Sequence, residues 1–135
     1  MVTATLAACA DGNREERRRA AGPNPSLGAL LRVADANAGA SAFGRCAACH
    51  TIAQNGMGRN GPNLFGVMGA EIGHTSPRFG YTAALQNVGG TWTRERMDAW
   101  LTNPQRFAPG TAMQFPGLSD PLVRADIIAY LETQR

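Results

Sequence analysis

The chain has 135 residues, 44% of them hydrophobic and 17% charged, with 16 Gly and 8 Pro. This is room for one loop-rich domain, and the composition excludes a coiled coil or a wholly disordered chain. No apolar run reaches the roughly 18 residues of a membrane-spanning helix. The net charge is +3 and all 13 cations are arginine, a small excess that offers no footprint for nucleic acid. Three cysteines are too few for a disulfide framework.

Residues 1–28 read as a leader, a signal remnant or a flexible linker, and residues 29–135 as the folded domain. Leu6-Ala7-Ala8-Cys9 matches a bacterial lipobox, which makes Cys9 a candidate lipid anchor. Ala8-Cys9-Ala10 equally fits the small-x-small pattern of an ordinary export signal. Five residues precede Leu6, without a basic or long apolar stretch, so a chance match stays open. Asn13 to Arg19 carries four Arg and two Glu in seven positions, followed by Ala-Ala-Gly-Pro-Asn-Pro. Such composition predicts that residues 10–26 stay solvated.

A helix of small residues, anchored by Phe43, is predicted over 37–48. The Gly-, Asn- and Pro-rich stretch 55–77 is predicted to wrap as loops, and a short helix follows over 82–87. Thr93 is placed to N-cap a helix carrying Met97, Trp100 and Leu101, ended by Pro104 and Pro109-Gly110. Ser119 is the expected cap of the last helix, with Pro121 in its first turn. Val123, Ile127, Tyr130 and Leu131 repeat the helical spacing there. No alternating pattern suggests strands, so the fold class is all-α with long loops.

The chemistry lies in Cys46-Ala47-Ala48-Cys49-His50. Two residues between the cysteines let both sulfurs reach the vinyl groups of one haem from a single turn, and the following histidine projects over the iron. A zinc site needs four N or S ligands, and only His74 and Cys9 remain to complete one. A thioredoxin-like motif needs a preceding strand and a βαβ context. A structural pair of buried cysteines is the remaining alternative.

Around this motif the chain resembles the class I cytochromes c, the small monohaem type of mitochondria and bacteria, over residues 36–135. The resemblance rests on Gly39 and Phe43 ahead of Cys46, Gly61-Pro62-Asn63-Leu64-Phe65-Gly66, and Phe79-Gly80-Tyr81-Thr82. It continues through Gly90-Thr91-Trp92, Asn103-Pro104, Pro109-Gly110-Thr111-Ala112-Met113 and Ile128-Ala129-Tyr130-Leu131. It implies a small cytochrome c fold wrapped around one covalent haem c.

Candidates for the sixth iron position are Met57, Met68, Met97, Met113 and His74. A buried Met97 on a helix face is ordinarily core filler. Met57 follows His50 too closely for its loop to round the macrocycle easily, while Met68 and His74 lie in a loop able to reach. Met113 lies in a loop bracketed by Pro109 and Pro116, and the resemblance places the axial methionine there. It also implies that the Pro62 carbonyl orients His50, that Tyr81 and Trp92 bind an inner haem propionate, and that Gly39 and Tyr130 mark the crossing of the first and last helices. Leu64, Trp100, Thr111 and Phe115 complete the expected haem contacts. Two departures stand out. Gly69-Ala70 replaces a frequent basic propionate partner, leaving Arg78 or His74 as substitutes, and Trp100 stands where a tyrosine often bonds the methionine sulfur.

The function so implied is one-electron transfer in a respiratory or photosynthetic chain, without catalysis. The alternatives are a haem-bearing subunit or module of a larger oxidoreductase, and a haem sensor or enzyme with a labile sixth ligand. The expected setting is the periplasm, for a monomer that meets membrane or periplasmic redox proteins and no nucleic acid. Residues 28–135 carry nine Arg and seven acidic residues. Arg45, Arg59 and Arg106 are candidate cations at the haem edge, with ordinary solvated surface charge as the alternative, and Ala112 replaces a common basic neighbour of the ligand methionine.

Overall fold

The computed structural model describes residues 5–135, with side chains from Asn13 onward; the Cys9 side chain, and with it the lipid-anchor expectation, lies outside the described residues. Seven α-helices are described: α1 (Thr5–Ala21), α2 (Leu27–Val33), α3 (Ala36–Ala42), α4 (Ala83–Gln86), α5 (Arg94–Thr102), α6 (Pro104–Phe107) and α7 (Pro121–Thr133). The only β pairing among the described residues is an isolated bridge between Glu71 and Thr91.

The fold is organised around the crossing of α3 and α7. A Cβ at Gly39 would overlap the Asp126 carbonyl oxygen and lie 2.8 Å from Tyr130 Cβ. Glycine therefore sets how closely the helices approach. Phe43 closes the crossing against Tyr130, with ring centroids 5.4 Å apart. On α7, Leu122, Ile127, Ile128 and Leu131 are buried.

Local capping explains most boundaries. The Thr93 hydroxyl accepts from Arg96 N–H at 3.2 Å and opens α5, which buries Met97, Trp100 and Leu101. Thr82 caps α4 by accepting from Leu85 N–H. Pro104 does more than end α5: it occupies the first turn of α6, capped by Asn103. The N-cap of α7 is Asp120 rather than Ser119, its carboxylate accepting from Leu122 N–H at 3.0 Å. With Pro121 at the first helical position, the cap falls on the residue directly before it.

The helix expected over 37–48 stops early. α3 ends at Ala42 and Phe43–Arg45 tightens into a 3-10 turn. Cys46 and Ala47 N–H both donate to Phe43 O, and Cys49 and His50 N–H both donate to Cys46 O. Sharing one carbonyl between two donors tightens a helix terminus, so the Cys-Ala-Ala-Cys-His segment lies on successive turns.

The largest difference from the sequence reading is at the N-terminal side. Residues 10–21, expected as solvated linker, are helical in α1. Arg17 pairs with both oxygens of Asp126 at 2.7 and 3.0 Å and also donates to Val33 O at 3.1 Å. Arg18 pairs with both oxygens of Asp120. Asp126 is nearly fully buried and accepts Asp35 N–H at 2.8 Å as well. The charge run thus gains its partners from α7 and its N-cap, more than 100 residues away, which local composition does not register. The expected boundary at residue 28 falls inside α2, whose Leu30 packs on Leu122 and Ala125.

Candidate haem-binding site

A cavity of about 480 Å³ opens between the Cys-Ala-Ala-Cys-His turns, the loops of residues 60–82, α5, the Thr111–Phe115 loop and α7. Every expected site residue lines it: Cys46, Cys49, His50, Pro62, Leu64, Tyr81, Trp92, Trp100, Thr111, Met113 and Phe115. Cys46 and Cys49 are not joined in a disulfide. Cys46 is half-buried and Cys49 exposed, so the motif runs from inside the cavity to its rim. Burial pushes the Cys46 thiol up, with Arg45 opposing.

The histidine is held in one orientation. Its Nδ1 lies 2.8 Å from Pro62 O, and a carbonyl can only accept, so Nδ1 carries the proton and the Nε2 lone pair is free. Burial pushes the His50 pKa down, with the Pro62 carbonyl opposing, which favours the neutral ring, the form that ligates metal. Gly61 packs against the imidazole: a Cβ there would lie 2.7 Å from Nδ1 and 2.9 Å from Nε2. Gly61 N–H donates to Cys49 O, Leu64 N–H to Thr51 O, and the Asn63 amide to Thr51 Oγ1 and Ala53 O. These bonds fix the Gly-Pro-Asn-Leu loop to the turn that carries His50.

The methionine candidates separate clearly. Met57 is 76% exposed and Met68 and His74 do not line the cavity, whereas Met113 and Met97 both do. Met97 is 4% exposed within α5 and belongs to the core. Met113 lies in an irregular loop shaped by Gln105, whose amide donates to Thr111 O at 2.8 Å and, more weakly, to Met113 O at 3.5 Å. Sequence reasoning did not find Gln105, because its role depends on a side chain reaching backbone six and eight residues away.

The aromatic wall is a three-ring cluster. Trp92 stacks on Phe107 at 5.6 Å and meets Trp100 edge-on at 5.6 Å. Phe107 was also absent from the expected set and supports the two tryptophans from outside the cavity. The Tyr81 hydroxyl accepts from Ser76 N–H at 2.8 Å, leaving its own proton to donate, and burial pushes its pKa up. Of the two suggested propionate partners, neither Arg78 nor His74 lines the cavity; among the described residues Arg45 is the arginine on its wall. His74 lies 4.0 Å from Glu71 instead.

These groups fit a c-type haem: two thiols not tied to each other, a neutral imidazole with one nitrogen free, a thioether and a mostly apolar wall share one cavity. The sequence comparisons agree with that chemistry. The family described as cytochrome c matches residues 36–135, and the chain belongs to it. It is a monohaem electron carrier with one covalently attached c-type haem.

A cytochrome c homolog of Bradyrhizobium diazoefficiens is 41% identical over 122 residues, covering 90% of this chain and 66% of its own length. Cytochrome c of Trypanosoma brucei brucei is 49% identical over 81 residues, 60% of this chain and 86% of that protein. The structure of cytochrome cH from Methylobacterium extorquens superposes with a TM-score of 0.68 at 45% identity, covering 73% of this chain and 98% of that one. The all-α cytochrome c fold is thus shown both by sequence and by structure. No helix among the described residues is long and apolar enough to cross a membrane.

Proposed function

We propose that the chain is a periplasmic, monomeric one-electron carrier in which Cys46 and Cys49 hold the haem and His50 and Met113 ligate its iron. It would pass electrons between membrane or periplasmic redox proteins of a respiratory or photosynthetic chain and catalyse no reaction of its own. The observation that carries this reading is the bond between His50 Nδ1 and Pro62 O, which leaves Nε2 as the ligand atom in the cavity that Met113 also lines. When bound, the haem supplies a one-electron couple at its iron.

The protein's part is to hold that couple closed and dry. Val67, Ile127 and Leu131, all buried, give the cavity apolar wall, which disfavours the more highly charged oxidised state. A thioether from Met113 acts in the same direction. Tyr81 and Trp92 would offer O–H and indole N–H to a propionate, and an apolar pocket makes such donors necessary. The exposed Cys49 would hold one side of the group at the cavity rim, where a partner can approach.

A carrier needs no open coordination site, whereas a sensor or enzyme does. Exposure of the ferrous holoprotein to CO separates them. The expected result is an unchanged absorption spectrum; prompt formation of a CO adduct by the unmodified protein would assign it to the sensor or enzyme class.

A further inference from the structure

We propose that the groove between α1 and α3 binds a phosphate-class oxyanion, at a site separate from the haem cavity. A second cavity of about 480 Å³ lies there, between Asn13, Arg14 and Arg17 of α1 and Asn37 and Ser41 of α3, with Asp35 and Arg45 also on its wall. The Nε atoms of Arg14 and Arg17 are buried and have no partner among the described residues. A guanidinium donor withdrawn from water without an acceptor is destabilising, and an anion in the groove removes that cost.

The charge inventory favours the same occupant. Asp126 engages two nitrogens of Arg17 and leaves Nε over. Asp35, the acidic residue on the wall, has one carboxylate oxygen engaged in capping α3 through Asn37 and Ala38 N–H. None of the ion pairs among the described residues uses Arg14 or Arg45. Guanidinium and amide groups of Arg14, Arg17, Asn13 and Asn37 thus line one space, which suits an oxyanion with several acceptor oxygens; the Ser41 hydroxyl, which donates to Asn37 O at 3.3 Å, joins them only by turning. The volume leaves room for an esterified phosphate, either a small soluble ester or a phospholipid headgroup.

Arg45 lines this cavity and the haem cavity alike. An anion drawn to Arg45 places negative charge beside the haem and stabilises the oxidised iron, so binding lowers the reduction potential. This second readout rests on the carrier reading; the binding itself does not.

The test uses the ferric holoprotein, followed by 1H–15N NMR while sodium phosphate replaces sodium chloride at constant ionic strength. A parallel arm uses vesicles of phosphatidylglycerol in phosphatidylcholine. Saturable shifts at Asn13, Asn37, Ser41 and the Arg14 side chain are expected. They should weaken at least tenfold, about 1.4 kcal/mol, in Arg14→Gln with the visible spectrum unchanged. Asn37→Asp, which adds a carboxylate at the favourable end of α3, should abolish them even if Arg14→Gln folds poorly. The midpoint potential should fall with saturation in the unmodified protein alone. Vesicle binding that phosphate competes away, and that both variants lose, assigns the site to a lipid headgroup; phosphate binding without vesicle binding assigns it to a soluble ester. Shifts that fail to saturate, or that persist in both variants, overturn the proposal.

Discussion

Gly61 and Pro62 adjoin each other and serve His50 by opposite means. Gly61 matters because it has no side chain: a Cβ would meet the imidazole within 3 Å of both ring nitrogens. Pro62 matters through its carbonyl, an atom every residue carries. Gly61→Ala should therefore disturb iron ligation, shifting the ferric spectrum and lowering the yield of holoprotein. Pro62→Ala should keep the spectrum and lose about 1 kcal/mol or less in stability, from greater freedom of the unfolded chain. Equal spectral damage by both changes would show that the ring, and not the carbonyl, of Pro62 orients the histidine. Gln105 is the other residue whose role is specific: it ties the backbone of Thr111 and Met113, the loop on which the proposed ligand is carried.

At the scale of elements, α1 locks the crossing at the centre of the fold. Arg17 reaches Asp126 on α7 and Arg18 reaches Asp120, its N-cap, and Asp126 also receives Asp35 N–H from the start of α3. One buried carboxylate thus joins α1, α3 and α7. Arg17→Ala removes its charged partner and should destabilise the holoprotein by about 3 kcal/mol, the cost typical of breaking a buried pair from one side. Thermal unfolding followed at the haem band checks this. A change below about 1 kcal/mol would mean that water satisfies Asp126 once the guanidinium is gone.

Elements set by short-range chemistry were readable from the sequence: the Thr93 cap, the Pro121 start and the apolar spacing of α5 and α7 all signal within one or two turns. The Cys-x-x-Cys-His motif carries its own local pattern, whereas Pro62, Tyr81, Trp92 and Met113 come from resemblance to the family, and lining residues such as Val67, Met97 and Ile127 were not anticipated there. What depended on distant partners was not readable. The run Arg14–Arg19 has the composition of a solvated linker until Asp120 and Asp126 are brought beside it. The support of Trp92 by Phe107 likewise exists only after α6 folds against α5.

For the whole molecule, the surface charge is sparse and mixed. Residues 28–135 hold nine Arg against seven acidic residues and no lysine. Arg59 is drawn into a hydrogen bond to Ala47 O within the cysteine motif. Long-range steering of partners should therefore be modest. The rate of electron transfer to a small anionic oxidant should fall less than about tenfold as ionic strength rises through the physiological range. A much steeper fall would reveal a concentrated positive field around the haem edge.

Iron ligation is where the proposed function is most exposed to test, because two methionines line the cavity. The direct measurement is the ferric absorption spectrum of Met113→Ala beside that of Met97→Ala, each with haem still attached. In Met113→Ala the sulfur-to-iron band should vanish, the ferrous form should gain CO binding and the potential should fall. Met97→Ala should keep the band and lose only stability, about 2–5 kcal/mol for a buried methionine. Persistence of the band in Met113→Ala, with its loss in Met97→Ala, would contradict the assignment and move the sixth ligand from the Thr111–Phe115 loop to α5.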